Sequence, residues 1–255
     1  MEKYEKVISW WKNKNIHNAS DLALVLDNFR IVFACNSNSI EGNTMTYHTT
    51  REVFEGKQLT NFSGTAREIF EAQNQKFAFE FLLKEYDNKT KIDIQFIQKM
   101  HSLLMYGCYD SDRWAKNERP GEFKKHDYCI GISELGAPPN EVETELQDLL
   151  NELNDNANSS DVLLKAAYFH AVFETIHPFA DGNGRIGRAL MNYYLLLEDY
   201  PPIVLFSEDK ETYYLALEVF DRSGKLDGFV KFLQEQLVKT WGSKIEKISR
   251  KLDCF

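Results

Sequence analysis

Apolar residues along the chain recur mostly at three- and four-residue intervals, the spacing of an amphipathic helix. Ser20 is a favourable capping residue, and the apolar positions from 21 to 33 after it predict a largely buried helix. A polar break is expected at 36–43. Helical spacing continues over residues 49–54, 66–86, 93–104, 141–153, 161–176, 185–197, 226–237 and 244–252.

The segment 107–139 differs from the rest because it is rich in Gly, Pro, Asp and Asn. Its short apolar run from Tyr128 to Ile132 predicts one strand of a small hairpin or flap. Neither a repeat nor a long linker interrupts the chain. We therefore expect one mostly α domain over residues 1–255.

Charge and composition exclude several classes of protein. The chain has 255 residues and a net charge of −9, which disfavours a general nucleic-acid binder. No run approaches the 18 apolar residues of a membrane span, and charges near the start argue against a signal peptide. Four widely separated cysteines without a CxxC pair predict reduced thiols in a cytoplasmic protein.

The loop from His177 to Arg188 carries the candidate chemistry. Pro178 cannot continue a helix, so the preceding helix should end with the His177 imidazole beside the loop. Gly182 and Gly184 let backbone N–H groups approach a ligand closely. The next helix then starts with unpaired N–H groups and a dipole that favours anions.

Arg185 and Arg188 lie three residues apart near one face of that first helical turn. Together with the glycines they predict a phosphate cradle. A histidine titrates near pH 6.5, so His177 is suited to take a proton from a hydroxyl. Asp181 offers a carboxylate to Mg²⁺ beside the phosphates. These residues indicate phosphoryl or nucleotidyl transfer to a hydroxyl.

Each part of the loop has a plainer interpretation on its own. A Gly-Asn-Gly triplet is usually a turn, and an Arg-x-x-Arg pair is usually a solvated face. His170 is most simply a structural buried histidine, although it shares a helical face with His177 and the two could bind a metal. No third ligand is suggested by the spacing. The coincidence of all the elements within twelve residues favours a functional site.

Residues 177–188 match every fixed position of His-Pro-Phe-x-Asp/Glu-Gly-Asn-Gly-Arg-x-x-Arg, the signature of Fic-domain proteins. The segment from Gly121 resembles the flap of that family, although Lys124 stands where an arginine is common. The resemblance covers about residues 20–225. It implies a helical domain with a short β-hairpin flap: N-terminal helices at about 1–60, a catalytic core at about 90–225 and C-terminal helices at about 226–255.

The resemblance implies a reaction and a role for each residue. Fic proteins with the full motif transfer AMP from ATP to a Tyr, Thr or Ser hydroxyl of a target protein, and the resemblance implies that this protein also modifies itself. His177 would be the general base and Asp181 the Mg²⁺ ligand. The remaining residues would bind nucleotide (Gly182, Asn183, Gly184, Arg185, Arg188, Tyr213, Tyr214) or dock an extended stretch of the target on the flap (Cys129, Ile130, Gly131, Ile132).

A second resemblance concerns regulation. The run that contains Ser37, Glu41 and Gly42 matches the inhibitory pattern Ser/Thr-x-x-x-Glu-Gly/Asn of the family, and it precedes the catalytic motif. A carboxylate placed on Arg188 would neutralise the contact to the γ-phosphate. Taken alone, the same residues could be a helix cap followed by an exposed acid.

Other functions remain open from the sequence. Relatives of this fold transfer other phosphate-containing groups, or remove AMP from a modified protein with the help of the glutamate. A nucleotide-responsive binding module without activity is a third reading, although a pure binder has little use for His177. No nucleic-acid or membrane partner is expected, whereas a homodimer is compatible with the resemblance.

Overall fold

The structure, a computed structural model, describes residues 2–59, 62–130, 134–154 and 161–252. Over these ranges it is mostly helical, as predicted. The helices are α1 (Glu2–Lys12), α2 (Ala19–Val25), α3 (Asp27–Ile40), α4 (Tyr47–Phe54), α5 (Ala66–Asp87), α6 (Ile94–Leu104), α7 (Ser111–Ala115), α8 (Val142–Asn154), α9 (Val162–Ile176), α10 (Asn183–Leu197), α11 (Lys210–Ser223) and α12 (Asp227–Leu252), with a 3₁₀ turn at Ser207–Asp209.

Side-chain caps set the starts of the helices around the candidate site. The Thr65 side chain accepts a hydrogen bond from the Glu68 N–H, and the Glu68 side chain accepts one from the Thr65 N–H. These two bonds form a capping box at the start of α5. Asp93 and Asp161 cap α6 and α9 in the simpler way. These three helices therefore begin within a residue of the predicted positions.

The polar break predicted at 36–43 begins later than expected, because α3 continues to Ile40 and only residues 41–43 of the predicted range lie outside the helix. Its polar side chains find partners elsewhere in the fold. Asn36 accepts from the Ser207 N–H at 3.0 Å, and Asn38 accepts from the Gln75 amide at 3.2 Å. Because these tertiary hydrogen bonds satisfy the side chains, the residues do not compete for the helical backbone.

Two further predictions of helix ends are wrong. Asn18, not Ser20, caps the first of the helices near residue 20, and its side chain accepts from the Asp21 N–H. The helices expected at 226–237 and 244–252 are one helix, α12, in which Gly242 is accommodated. Helices α1, α7 and α11 lie where no helix was predicted.

A short antiparallel ladder interrupts the helices. Strand β1 (Cys129–Ile130) pairs with β2 (Glu134–Leu135), with Cys129 opposite Leu135 and Ile130 opposite Glu134. The predicted flap positions Gly131 and Ile132 lie outside the described residues. The ladder is therefore only two residue pairs long, and nothing in it shows a flap acting on a target.

Helices α9 and α10 form the centre of the core. Phe169 and Phe173 on α9, and Ile186 and Leu190 on α10, are fully buried. Burial of this kind stabilises each large apolar side chain by about 1.5–3 kcal/mol. The end of α9 and the start of α10 are thus held firmly, and the candidate loop connects them. Within the described residues, no helix is both long and apolar enough to cross a membrane.

Candidate active site

The loop between α9 and α10 has two residues in the left-handed region. His177 ends α9 with φ 50° and ψ 62°, and its N–H bonds to the Phe173 carbonyl at 3.0 Å. Gly182 precedes α10 with φ 87°, a conformation that favours glycine, and it supplies no side-chain cap. The first-turn N–H groups of α10 therefore keep the anion-binding character predicted from the sequence.

Phe179 and Asn183 hold the loop in one shape. The Asn183 side chain accepts from the Phe179 N–H at 2.9 Å and donates to the Phe179 carbonyl at 2.8 Å. Both polar atoms of this side chain are therefore hydrogen-bonded within the loop. The buried Phe179 ring stacks on His101 of α6, with ring centroids 3.7 Å apart. Asn183 thus shapes the cradle with its side chain, and any contact of this residue with phosphate falls to its backbone.

His101 ties the loop to α6. Its Nδ1 accepts from the Gly121 N–H at 2.8 Å, so Nε2 carries the proton and donates to the Asp181 carbonyl at 2.9 Å. Burial lowers the pKa of His101 to about 4, which agrees with a neutral ring. The sequence singled out no role for this histidine.

Arg188 joins α10 to α3. Its side chain is 1% exposed, and Nη2 bonds to Glu41 Oε1 at 2.7 Å and to the Ser37 carbonyl at 2.9 Å. Nε donates to the Ser37 hydroxyl at 3.0 Å, while Nη1 is buried without a hydrogen-bond partner in the described ranges. The structure therefore brings Ser37 and Glu41 onto the arginine that was expected to clamp a phosphate.

The Glu41 carboxylate lies directly over the start of α10. A Cβ built on Gly184 would stand 2.4 Å from Glu41 Oε1 and 2.8 Å from Arg188 Nη1, so a larger residue there would have to displace the ends of these two side chains. Gly42 follows the end of α3 with φ 92°, a conformation that favours glycine. The carboxylate thus occupies space beside the glycines of the predicted cradle.

Arg185 has different partners. Nη1 bonds to Glu71 of α5 at 2.7 Å, and Nη2 lies 3.3 Å from Asp181 Oδ1. Its Nε is buried with no partner among the described side chains and backbone. The two motif arginines therefore each keep one buried nitrogen free for an acceptor, which a protein normally avoids unless a ligand supplies it.

Asp181 is the residue expected to hold a metal. Burial pushes the pKa of Asp181 upward, but the cations Arg185 and Arg67 outweigh it and hold the pKa below its usual range. No group of three or more His, Cys, Asp or Glu within the described residues could enclose a metal. One ionised carboxylate suits Mg²⁺, which takes its remaining ligands from phosphates and water. The donor set therefore fits Mg²⁺ delivered with a nucleotide.

His177 lies next to a buried lysine. The Lys124 N–H donates to the Pro178 carbonyl at 2.9 Å, and Lys124 Nζ has no hydrogen-bond partner in the part of the chain described. A Cβ on Gly136 would be 2.6 Å from His177 Cβ and 2.9 Å from Lys124 Nζ, so both line one small space. Burial, and then the charge of Lys124, lower the pKa of His177 to about 4.

The helix behind the loop contributes a buried polar group. His170 Nε2 bonds to the Tyr213 hydroxyl at 2.8 Å, so His170 is structural and does not present that nitrogen to a metal with His177. Glu174 Oε1 is buried without a hydrogen bond, and burial raises the pKa of Glu174 to about 8. Tyr213 is buried, whereas Tyr214 is 46% exposed. Of these two tyrosines, Tyr214 is therefore the one with a ring face accessible to a nucleotide base.

Several site residues were not predicted from the sequence. Arg67 and Glu71 on α5, Arg113 on α7 and His101 on α6 all contact Asp181 or Arg185. None of them has a motif or spacing that links it to the loop. Of the flap residues, Cys129 and Ile130 lie in β1, and no target contact can be read from them.

Comparisons with known proteins agree with this geometry. Residues 91–195 match the model of the Fic/DOC family. This segment is a Fic/DOC family domain. It is 30% identical over 206 residues to the protein adenylyltransferase Fic of Drosophila persimilis, which covers 80% of this chain and 39% of that protein. The chain thus spans about two fifths of the length of the curated relatives it matches.

Solved Fic structures have the same fold. A Fic-domain-containing signaling protein from Bacteroides thetaiotaomicron VPI-5482 has a TM-score of 0.80 at 27% identity, with 96% of both chains covered. A Fic family protein from Desulfovibrio desulfuricans G20 has a TM-score of 0.75 at 27% identity, covering 96% of this chain and 73% of that chain. Fic-1 from C. elegans, at 23% identity and a TM-score of 0.81, is alike in fold.

Proposed function

We propose that this Fic protein transfers AMP from ATP to a hydroxyl side chain of a target protein. The observation that carries the proposal is the pair of buried, unpartnered guanidinium nitrogens, Arg185 Nε and Arg188 Nη1, beside the first turn of α10. Buried cationic donors without acceptors suit an anionic ligand such as a triphosphate. Curated relatives are named protein adenylyltransferase Fic, which supports the same reaction.

In the proposed reaction the target hydroxyl oxygen attacks the α-phosphorus, the bond to pyrophosphate breaks, and pyrophosphate leaves. His177 takes the hydroxyl proton. Its Nδ1 is buried, which leaves Nε2 as the nitrogen for that proton. Because its pKa is lowered, the imidazole is neutral and able to accept near pH 7.

The rest of the loop binds the anion. The N–H groups around Gly182, Asn183 and Gly184 contact the α- and β-phosphates, Arg185 contacts the phosphate chain, and Arg188 contacts the γ-phosphate. These fixed donors stabilise charge where it develops during transfer. Asp181 would hold Mg²⁺, and the bound cation would withdraw electron density from the phosphate oxygens.

We further propose that Glu41 restrains the enzyme. Its carboxylate bonds to Arg188 Nη2 at 2.7 Å and fills the space next to Gly184, so it competes with the γ-phosphate for the same donor. The target peptide pairs with the strand that contains Cys129 and Ile130 by main-chain hydrogen bonds. The same role was expected for Gly131 and Ile132, which lie outside the described residues. Tyr214 borders the nucleotide base with its exposed face, and the buried Tyr213 supports it from behind, with the two ring centroids 5.1 Å apart.

The test compares purified wild type with Glu41→Gly and with Glu41→Gly/His177→Ala after incubation with Mg-ATP. Intact-mass measurement detects the adenylyl group on the protein itself or on added protein. Glu55→Gly is the matched control, since Glu55 is also paired with an arginine, Arg51, but on the surface. We expect modification to rise in Glu41→Gly alone and to vanish when His177 is replaced.

Two comparisons separate the alternatives. ATP, GTP, UTP and CTP are offered in turn, so a preference for another donor would replace AMP transfer by a related transfer. An adenylylated protein is offered as substrate to wild type, and loss of its AMP would assign Glu41 to AMP removal. If Glu41→Gly binds ATP but never modifies any protein, the transferase proposal fails and a binding module is favoured.

A further inference from the structure

Arg67 is bonded to the Asp181 carboxylate, which the proposed function assigns to Mg²⁺. It lies in the first turn of α5, and its Nη2 is 2.7 Å from Asp181 Oδ2, a residue 114 positions further along the chain. Its Nε is 3.0 Å from Glu71 Oε1, one helical turn away on the same helix. Arg67 therefore reaches the loop while it is tethered to α5.

Three arginine side chains surround Asp181. Arg67, Arg113 and Arg185 all lie within 4 Å of Asp181 oxygens, at 2.7, 3.6 and 3.3 Å. Arg67 and Arg185 also share Glu71, and Arg113 also pairs with Asp110, so three guanidinium groups share three carboxylates. Because each guanidinium has five N–H donors, this group of side chains has donors to spare for an anion.

The three arginines differ in their freedom to move. The Arg185 side chain is 3% exposed, whereas that of Arg67 is 39% exposed. A divalent cation on Asp181 Oδ2 would repel the Arg67 guanidinium from the same oxygen. Arg67 can then leave Asp181 and still keep its bond to Glu71, which Arg185 Nη1 also contacts at 2.7 Å. The freed guanidinium thus stays next to a motif arginine.

We propose that Arg67 is an exchangeable phosphate contact of the active site. Its guanidinium bonds to Asp181 in the structure described here, and it donates to the pyrophosphate end of the nucleotide once a divalent cation occupies Asp181. Guanidinium groups suit this exchange because they bind carboxylate and phosphate in the same planar geometry. The proposal rests on the proposed function, since it needs a triphosphate at this loop.

The experiment measures binding of inorganic pyrophosphate in the presence of Mg²⁺ by titration calorimetry. All proteins carry Glu41→Gly, so that Arg188 is available to the ligand. The background protein is compared with three variants that add Arg67→Met, Arg67→Lys or Arg51→Met. Arg51 is the matched control, because it is a helical arginine paired with a glutamate away from the site. Circular dichroism verifies that each variant is folded.

Loss of a charged hydrogen bond predicts that Arg67→Met weakens pyrophosphate binding by about tenfold or more. The pyrophosphate affinity of Arg67→Lys should lie between that of the Glu41→Gly background and that of Arg67→Met. Arg51→Met should leave the affinity unchanged. If Arg67 only blocks Asp181, Arg67→Met binds more tightly; an unchanged or tighter affinity overturns the proposal. Absence of pyrophosphate binding in every variant overturns it too. If Arg67→Met fails to fold, the Arg67→Lys comparison decides.

Failure of this inference is separable from failure of the proposed function. The Glu41→Gly preparation is also assayed for AMP transfer by intact mass. If it transfers AMP while Arg67→Met leaves pyrophosphate affinity unchanged, the function stands and the role of Arg67 is refuted. If pyrophosphate binding depends on Arg67 but no AMP is transferred, the phosphate contact stands and the transferase proposal fails.

Discussion

Arg188 Nη2 and Glu41 Oε1 are 2.7 Å apart, although 147 residues separate them in the chain. The arginine side chain is 1% exposed and is also fixed by Ser37, whereas the glutamate side chain is 30% exposed. Burial lowers the pKa of Arg188, but Glu41, Tyr213 and Glu174 together outweigh burial and hold the pKa above its usual value. The cation is therefore a fixed part of the fold, and its carboxylate partner is the part that can be replaced.

Replacing that partner should cost stability that a nucleotide restores. Glu41→Gln leaves a buried guanidinium without its countercharge, and we expect a loss of about 1–3 kcal/mol, less than for a fully buried pair because Glu41 is partly exposed. Urea unfolding measures the loss. Mg-ATP should raise the melting temperature of Glu41→Gln more than that of wild type. Equal shifts in both proteins would contradict the competition between Glu41 and phosphate.

Asn183 should matter for stability as well as for binding. Asn183→Ala removes both side-chain hydrogen bonds to the Phe179 backbone and leaves those groups buried, so the expected loss is about 1–3 kcal/mol. Urea unfolding measures it, with Asn151→Ala on the surface of α8 as the control. Alanine favours helices, so the control should be neutral or slightly stabilised. A similar loss in both variants would refute the loop-fixing role.

The pH dependence of AMP transfer should report on Lys124. Burial and the Lys124 charge lower the pKa of His177 to about 4, so in the Glu41→Gly background the rate should stay level as pH falls from 8 to about 6. Lys124→Met removes one cause and raises the pKa of His177, which moves the acidic decline of the rate to higher pH. Lys124→Arg keeps the charge and should retain the original profile.

Rates measured from pH 5 to 8 under saturating Mg-ATP distinguish this electrostatic role from a structural one. A structural loss lowers the rate at every pH without moving the profile. The same acidic decline in Lys124→Met and Lys124→Arg would show that the ammonium charge does not act on His177.

Glu174 makes stability fall as the pH rises. Burial raises its pKa to about 8 from the ordinary 4.5. Between pH 4.5 and 8 the Glu174 carboxyl is ionised in the unfolded chain but still protonated in the folded chain. Its contribution to the free energy of unfolding is therefore fully present below pH 4.5 and is lost as the pH rises through 8. Glu174→Gln cannot ionise. The free energy of unfolding of Glu174→Gln should therefore rise relative to that of wild type as the pH increases from 5 to 9.

Glu55→Gln is the control for this comparison. Lys57 and Arg51 lower the pKa of the exposed Glu55 to about 2, so it is ionised in both states across this range. Its difference from wild type should not change with pH. A constant difference for Glu174→Gln as well would show that the Glu174 carboxyl is ionised in the folded protein at pH 7.

The sequence predicted the loop between α9 and α10 because its elements are local. Pro178 and Gly182 fix where α9 ends and α10 begins, and these positions need no distant partner. The same holds for Asp93 and Asp161, whose capping bonds reach only three residues along the chain. The pairing of Glu41 with Arg188 was reached only through the family resemblance.

Predictions failed where distant side chains override local preference. Asn36 and Asn38 predicted a break, but Ser207 and Gln75 satisfy them, and α3 continues. This single difference places Ser37 and the end of α3 against Arg188.

By itself the sequence determined a mostly helical chain with an anion-binding loop between two buried helices, because capping, proline and glycine effects act within one helical turn. Only the tertiary structure decided what surrounds that loop. Arg67, Glu71 and His101 reach it from helices that lie 80 to 114 residues away in sequence. Such contacts depend on how helices pack, and residue spacing along one chain carries no record of that packing.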